Sequence, residues 1–234
     1  MADTAIEADE AVAPGRSGPR GAVVVGPSDV AAAVVAALRA AGAVVATAES
    51  GADLAGAAEQ AGLAGQVDLV VHAPYTPGST APCAVADLAP EEWDRLAEEP
   101  VRHGLAALQG AYPLLRATGG SFVLVAPSVA IEGGAGLVPL ATASESLRAL
   151  AKSAARRWAR DGIAVHLLAP TVFALDAEAE ALRGTDVDRS EAALGADSMS
   201  AEAAADVVLL LCAPGARHLT GSTFALDGGA LMLP

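Results

Sequence analysis

Side chains that could move protons or bind metals are few in this 234-residue chain. Its four histidines are His72, His103, His166 and His218, and its two cysteines are Cys83 and Cys212. No spacing among them and the acids matches a ligand set, so no metal is expected. The cysteines form no C-x-x-C pair and read as reduced, buried thiols. His72 ends the apolar run Leu69-Val70-Val71. Its ordinary pKa of about 6.5 suits acid–base work, and a structural role at a strand end is the plainer alternative. Four residues beyond the two tyrosines, Tyr75 and Tyr112, stand Ser79 and Arg116, and Lys152 is the one lysine. There is thus no Tyr-x-x-x-Lys pair. Ser128 has no G-x-S-x-G elbow and no neighbouring His or Asp in sequence, which argues against a nucleophilic serine.

A second group of residues bears on anion binding. The apolar run Ala22-Val23-Val24-Val25 closes on Gly26-Pro27-Ser28-Asp29-Val30-Ala31. This reads as a buried strand, a turn and the start of a helix capped by Ser28 or Asp29. Free N–H groups at such a helix start attract phosphate. Here Asp29 places a carboxylate there, where it would cap those groups itself and repel an anion, and Pro27 removes a donor. Glu49 follows the next strand, 20 residues after Asp29, where an acid can bind ribose hydroxyls.

The elements that must position these residues alternate regularly. Strands are expected at 22–25, 43–48, 67–72, 120–126, 163–168 and 222–226. Helices are expected at 29–41, 52–61, 91–116 (bent near Pro100), 140–160 and 201–212. Strands alternating with helices imply βαβ crossovers and an α/β, Rossmann-like, doubly wound parallel sheet in a single domain, 21–234. Residues 1–20, with Pro14, Gly15, Gly18 and Pro19, read as a flexible extension. Residues 171–200, acidic and irregular, read as a mobile flap with at most one short helix.

Composition narrows the partners. Hydrophobic residues make up 53% of the chain, which excludes a disordered one. No uncharged apolar run reaches the ~18 residues of a membrane span. The net charge of −14 argues against nucleic acid and anionic membrane as partners. The acidic N-terminus lacks the features of a signal peptide, so a cytoplasmic location is expected.

Several local texts occur in a telling order. Trp93-Asp94-Arg95 opens a long helix, and Gly119-Gly120-Ser121 begins a strand that ends at Ala126-Pro127-Ser128. Asp161-Gly162-Ile163 leads through a strand to Pro170, and Leu219-Thr220-Gly221 leads to Asp227-Gly228-Gly229. Over about residues 20–234 the chain resembles the short-chain dehydrogenase/reductase family. That resemblance implies NAD(P)-dependent oxidoreduction, a glycine-rich phosphate turn and an Asn-Ser-Tyr-Lys tetrad. Carried onto this chain, the family's phosphate turn retains Gly26 but has Asp29 and Ala31 at the other glycine positions. The Asn falls at Pro100, the Ser in the region of Ser128, the Tyr at Leu140 and the Lys at Ser144. These are vestigial positions, and no catalytic set is expected.

Gly26, Ser28 and Glu49 are the remaining candidates for cofactor contact. No cofactor is expected, and NAD is expected over NADP if one binds, because Glu49 would repel a 2′-phosphate. The architecture-bearing residues survive while the chemistry-bearing ones do not. On the 140–160 helix Leu147, Leu150, Ala151, Ala154, Ala155 and Trp158 form a stripe that suits either core or a close-packed partner. The resulting expectation is a catalytically silent homologue, partnered with an active short-chain dehydrogenase/reductase in a hetero-oligomer. The alternatives are an active oxidoreductase with an atypical NAD site, a dehydratase or isomerase using His72, Glu132 or Asp29 in the same cleft, and a small-ligand sensor.

Overall fold

The computed structural model describes residues 18–185 and 192–231, without the side chains of Glu132, Ala196 and Ser198. Most of the expected N-terminal extension and the 186–191 part of the expected flap lie outside the described residues.

Six parallel strands form one sheet: β1 (Gly21–Val25), β2 (Val44–Ala48), β3 (Leu69–His72), β4 (Ser121–Val125), β5 (Ala164–Pro170) and β6 (Thr223–Leu226). Their order is β2-β1-β3-β4-β5-β6. Dinucleotide-binding sheets often run 3-2-1-4-5-6. Among the described residues nothing pairs outside β2, because the chain passes from β2 through the short helix α2 (Leu54–Gln60) directly across β1 to β3. β2, reading Val-Val-Ala-Thr-Ala, is therefore an edge strand, with Val44 51% exposed.

β1, β3 and β4 are almost entirely buried apolar runs, as strands covered on both faces must be. One face packs on α1 (Asp29–Ala40) and α7 (Ala201–Leu211) through Val24, Val34, Leu38, Val71 and Val208. The other packs on α2, α4 (Glu99–Arg116) and α6 (Val138–Trp158) through Leu54, Leu108, Phe122, Leu147 and Trp158. The long helix expected at 91–116 is made of α3 (Pro90–Trp93), a π-helical turn at Asp94–Glu98, and α4. Pro100 cannot donate a backbone hydrogen bond, and the widened turn lies just before it. The short helix α5 (Val129–Glu132) follows β4.

Glycines set the close approaches around the site. A Cβ on Gly51 would lie 2.1 Å from the Ala107 backbone nitrogen, and one on Gly110 would lie 2.2 Å from the Gly51 carbonyl oxygen. α4 can therefore seat directly on the 3-10 turn after β2. At the C-terminal end, Asp227 is buried and its carboxylate accepts the N–H groups of Gly229 and Leu231 at 2.9 and 3.0 Å. Gly228 and Gly229 both have positive φ. The Asp-Gly-Gly ending thus folds its own turn.

Where one short helix is expected in 171–200, the described residues form three 3-10 turns, at Val172–Ala174, Ala177–Leu182 and Ala196–Met199. Ala179 and Leu182 are buried against Val129 and Leu137, forming a third apolar cluster.

Candidate functional site

The crevice of a doubly wound sheet opens at the carboxyl ends of its strands, where the strand order reverses. Here that point lies between β1 and β3. The turn after β1 carries Gly26 at φ +120°, and a Cβ there would lie 2.2 Å from the Ala73 carbonyl oxygen. Only glycine fits, because the turn lies against the end of β3, with or without a ligand.

The start of α1 is capped from within. Ser28, 2% exposed, accepts the Ala31 N–H at 3.2 Å and donates to the Ala73 carbonyl at 2.8 Å. Of the two caps that the sequence allows, Ser28 and Asp29, the helix uses Ser28, which corrects the expectation that the Asp29 carboxylate occupies these N–H groups. Ser28 has the extended backbone of an N-cap. The Asp29 side chain is exposed on an open groove shared with Phe173 and Asp176. The Asp29 N–H donates to the Leu175 carbonyl at 3.0 Å. Two donors that a phosphate would need are therefore occupied by the chain itself.

Deeper in the crevice three of the four vestigial positions lie around one cavity. Pro100, Leu140 and Ser144 line one small cavity of about 20 Å³ with Tyr75, Pro127 and Leu175. Ser144 is buried and donates to the Leu140 carbonyl at 2.8 Å, one helical turn back. Ser128 is buried just beyond Pro127, at the N-cap of α5, and its N–H donates to the Pro170 carbonyl at 2.7 Å. The cavity has room for about one water. Lys152 is exposed on α6, away from these residues.

A neighbouring cavity of about 40 Å³ brings Glu49 and Gly26 together with His72 and His103. His72 is 3% exposed, and neither ring nitrogen has a hydrogen-bond partner among the described residues. Burial, reinforced by nearby His103, holds its pKa down at about 4, so it is neutral at pH 7. The Tyr75 hydroxyl donates to Glu178 Oε2 at 3.3 Å. Burial and the carboxylates of Asp176 and Glu178 push its pKa well above the usual phenol range. Cys212 is also pushed up, to about 12, chiefly by burial. Among the described residues no group of three or more His, Cys, Asp or Glu is placed to hold a metal ion. No helix among them is long and apolar enough to cross a membrane.

Sequence reasoning missed Leu175. No motif marks it, and the residue it bonds to is Asp29, far away in the chain.

The family described as enoyl-(acyl carrier protein) reductase matches residues 27–230. A tropinone reductase homolog of Arabidopsis thaliana is 34% identical over 52% of this chain and 46% of its own length. A short-chain dehydrogenase of Pyricularia oryzae is 28% identical over 63% and 60%. The chain spans about half the length of the curated relatives it matches. Among solved structures, the TT0495 protein of Thermus thermophilus aligns with a TM-score of 0.72 at 24% identity, over 90% of this chain and 98% of that one. A 3-ketoacyl-(acyl-carrier-protein) reductase from Brucella melitensis, complexed with NADH, aligns with a TM-score of 0.73 at 19% identity, over 92% and 100%. The chain belongs to the short-chain dehydrogenase/reductase family of oxidoreductases.

The NADH in the Brucella structure runs against the expectation that this chain has no cofactor, since proteins of its fold do bind a nicotinamide nucleotide. In this chain two amides at the start of α1 and the space at the vestigial positions are not open to a dinucleotide, although a groove of about 500 Å³ lies beside Asp29. The Asp29 and Ala31 amides are engaged internally, and the cavity at Leu140 and Ser144 admits about one water.

Proposed function

We propose that this chain is a catalytically silent member of its family, a cytoplasmic partner subunit for an active short-chain dehydrogenase/reductase in a hetero-oligomer. The observation that supports this reading is the convergence of Pro100, Leu140 and Ser144 on one nearly filled cavity. The position of the proton donor is a leucine, and the position of the cation beside it is a serine turned back on its own helix. Neither supplies general acid–base chemistry near neutral pH. If a nucleotide binds at all, NAD is preferred over NADP, since Glu49 stands beside the Gly26-Pro27 turn and would repel a 2′-phosphate.

The test is co-expression with a homologue that has an intact Tyr-x-x-x-Lys pair, followed by affinity capture, light scattering and nucleotide titration. The expected result is a stable mixed assembly whose turnover depends on the partner's tyrosine, and weak or absent NAD(H) binding by the isolated chain. A chain that turns over substrate alone with a nicotinamide cofactor would replace this reading with that of an active oxidoreductase. His72 favours a second reading, a non-redox proton transfer in the same cleft, because it is neutral and unpartnered beside a cavity. Solvent-deuterium incorporation into a bound ligand, abolished in His72→Asn, would identify it.

A further inference from the structure

We propose that the segment Thr171–Leu182 is a tethered plug, a strap of the chain's own backbone that closes the mouth of the crevice and must leave before an anionic nucleotide can enter. This rests on the reading of the chain as silent and names a physical cause for the weak nucleotide binding expected of it. The strap makes three contacts with the crevice, one at the start of α1 and two around the small cavity that Tyr75, Leu140 and Leu175 share. At the first turn of α1, the Leu175 carbonyl takes the Asp29 N–H at 3.0 Å. N-terminal helix amides have no partner within the helix, so this carbonyl holds a place that a phosphate oxygen would take. At the vestigial catalytic positions, the Leu175 side chain, 2% exposed, lines the cavity with Leu140. At the same cavity, Tyr75 on the loop after β3 donates to Glu178 of the strap at 3.3 Å.

The strap is also anchored outside the crevice. Ala179 and Leu182 are buried against Val129 and Leu137, and the Arg183 guanidinium lies 4.3 Å from the Phe173 ring centre. A ligand that binds only the open form has its affinity reduced by the fraction of molecules that are open.

The Asp29 amide reports on the strap directly, since its acceptor is Leu175. Hydrogen exchange by NMR, paired with NADH fluorescence titration, would be measured on the full chain and on Leu175→Ala and Tyr75→Phe. In Leu175→Ala the Asp29 amide is expected to exchange at least tenfold faster, with Val23, Val24 and Val25 unchanged, and NADH to bind at least tenfold more tightly. Tyr75→Phe, which alters packing least and serves if the first variant does not fold, should move both readouts the same way by a smaller factor. Faster exchange without tighter NADH binding would overturn the plug while leaving the silent reading intact. Unchanged Asp29 exchange in both variants would overturn it too. Low-micromolar NADH binding by the unaltered chain would instead remove the silent reading and the plug with it.

Discussion

His72 sits at the end of β3, level with Val25 on one side and Leu124 on the other, beneath α4. A Cβ on Gly104 of α4 would come within 3.8 Å of its Nε2, so the helix packs close over the ring. The folded pKa of about 4 is below the unfolded value of 6.5. The unfolded chain therefore binds the extra proton first, and stability, complete above about pH 6.5, is lost as pH falls towards 4. His166, also depressed by burial, acts in the same direction. Urea unfolding should show His72 alone costing about 1 kcal/mol at pH 5.5 relative to pH 7.5, and His72→Asn should flatten that slope. The vestigial pair gives a second prediction. Leu140→Tyr/Ser144→Lys should show no nicotinamide-dependent carbonyl reduction, followed by nicotinamide absorbance. Proton transfer helps only when donor and acceptor are held about 3–3.5 Å apart, and the cleft there has little room for either. Turnover by that double variant would mean the crevice opens more readily than its packing indicates.

At the scale of elements, most boundaries were legible because the strands are short apolar runs ended by Gly, Pro or Ser. β1, β2 and β4 fall within a residue or two of their expected places, and α6 begins two residues early at Val138. The strap was not legible. It is built from 3-10 turns rich in alanine and acids, and its key bond joins residues 146 positions apart (175 − 29). Nor could sequence choose between Ser28 and Asp29 as the cap, since both residue types cap well and the backbone angles decide. The retained Gly26 looked like a remnant of phosphate binding, whereas the structure gives it a packing reason. Gly26→Ala should therefore destabilise the chain by about 2–4 kcal/mol. Gly42→Ala, at φ +84° with nothing within 4 Å, should cost about 1 kcal/mol. Thermal and denaturant melts of the two variants would compare them. Equal losses would remove the packing account of Gly26.

At the scale of the whole molecule, the α6 stripe divides in two. Leu147, Ala151, Ala155 and Trp158 are buried in the core, while Leu150 and Ala154 are only partly so. Ala151 is thus core and unsuited to probing an interface, whereas Leu105 of α4, 43% exposed, is available to a partner. Leu105→Arg should dissociate the proposed mixed assembly in light scattering while leaving the far-ultraviolet circular dichroism of the chain unchanged. Retained assembly would exclude that face of α4. The edge at β2, unpaired among the described residues, has a consequence for colloidal behaviour. β2 carries no lysine, proline or bulge, the usual devices that keep open edges from pairing with one another. Long-range repulsion between molecules of net charge −14 opposes the approach of two such edges. Salt shortens that repulsion to roughly 3 Å at 1 M, and acid removes it as the carboxylates protonate. Concentrated samples should therefore turn turbid at high salt or near the isoelectric pH of about 4.5, with a rise in cross-strand infrared absorption. Thr47→Lys, a single cation on that exposed edge, should delay the turbidity, and a turbidity onset unmoved by it would place the association elsewhere on the surface.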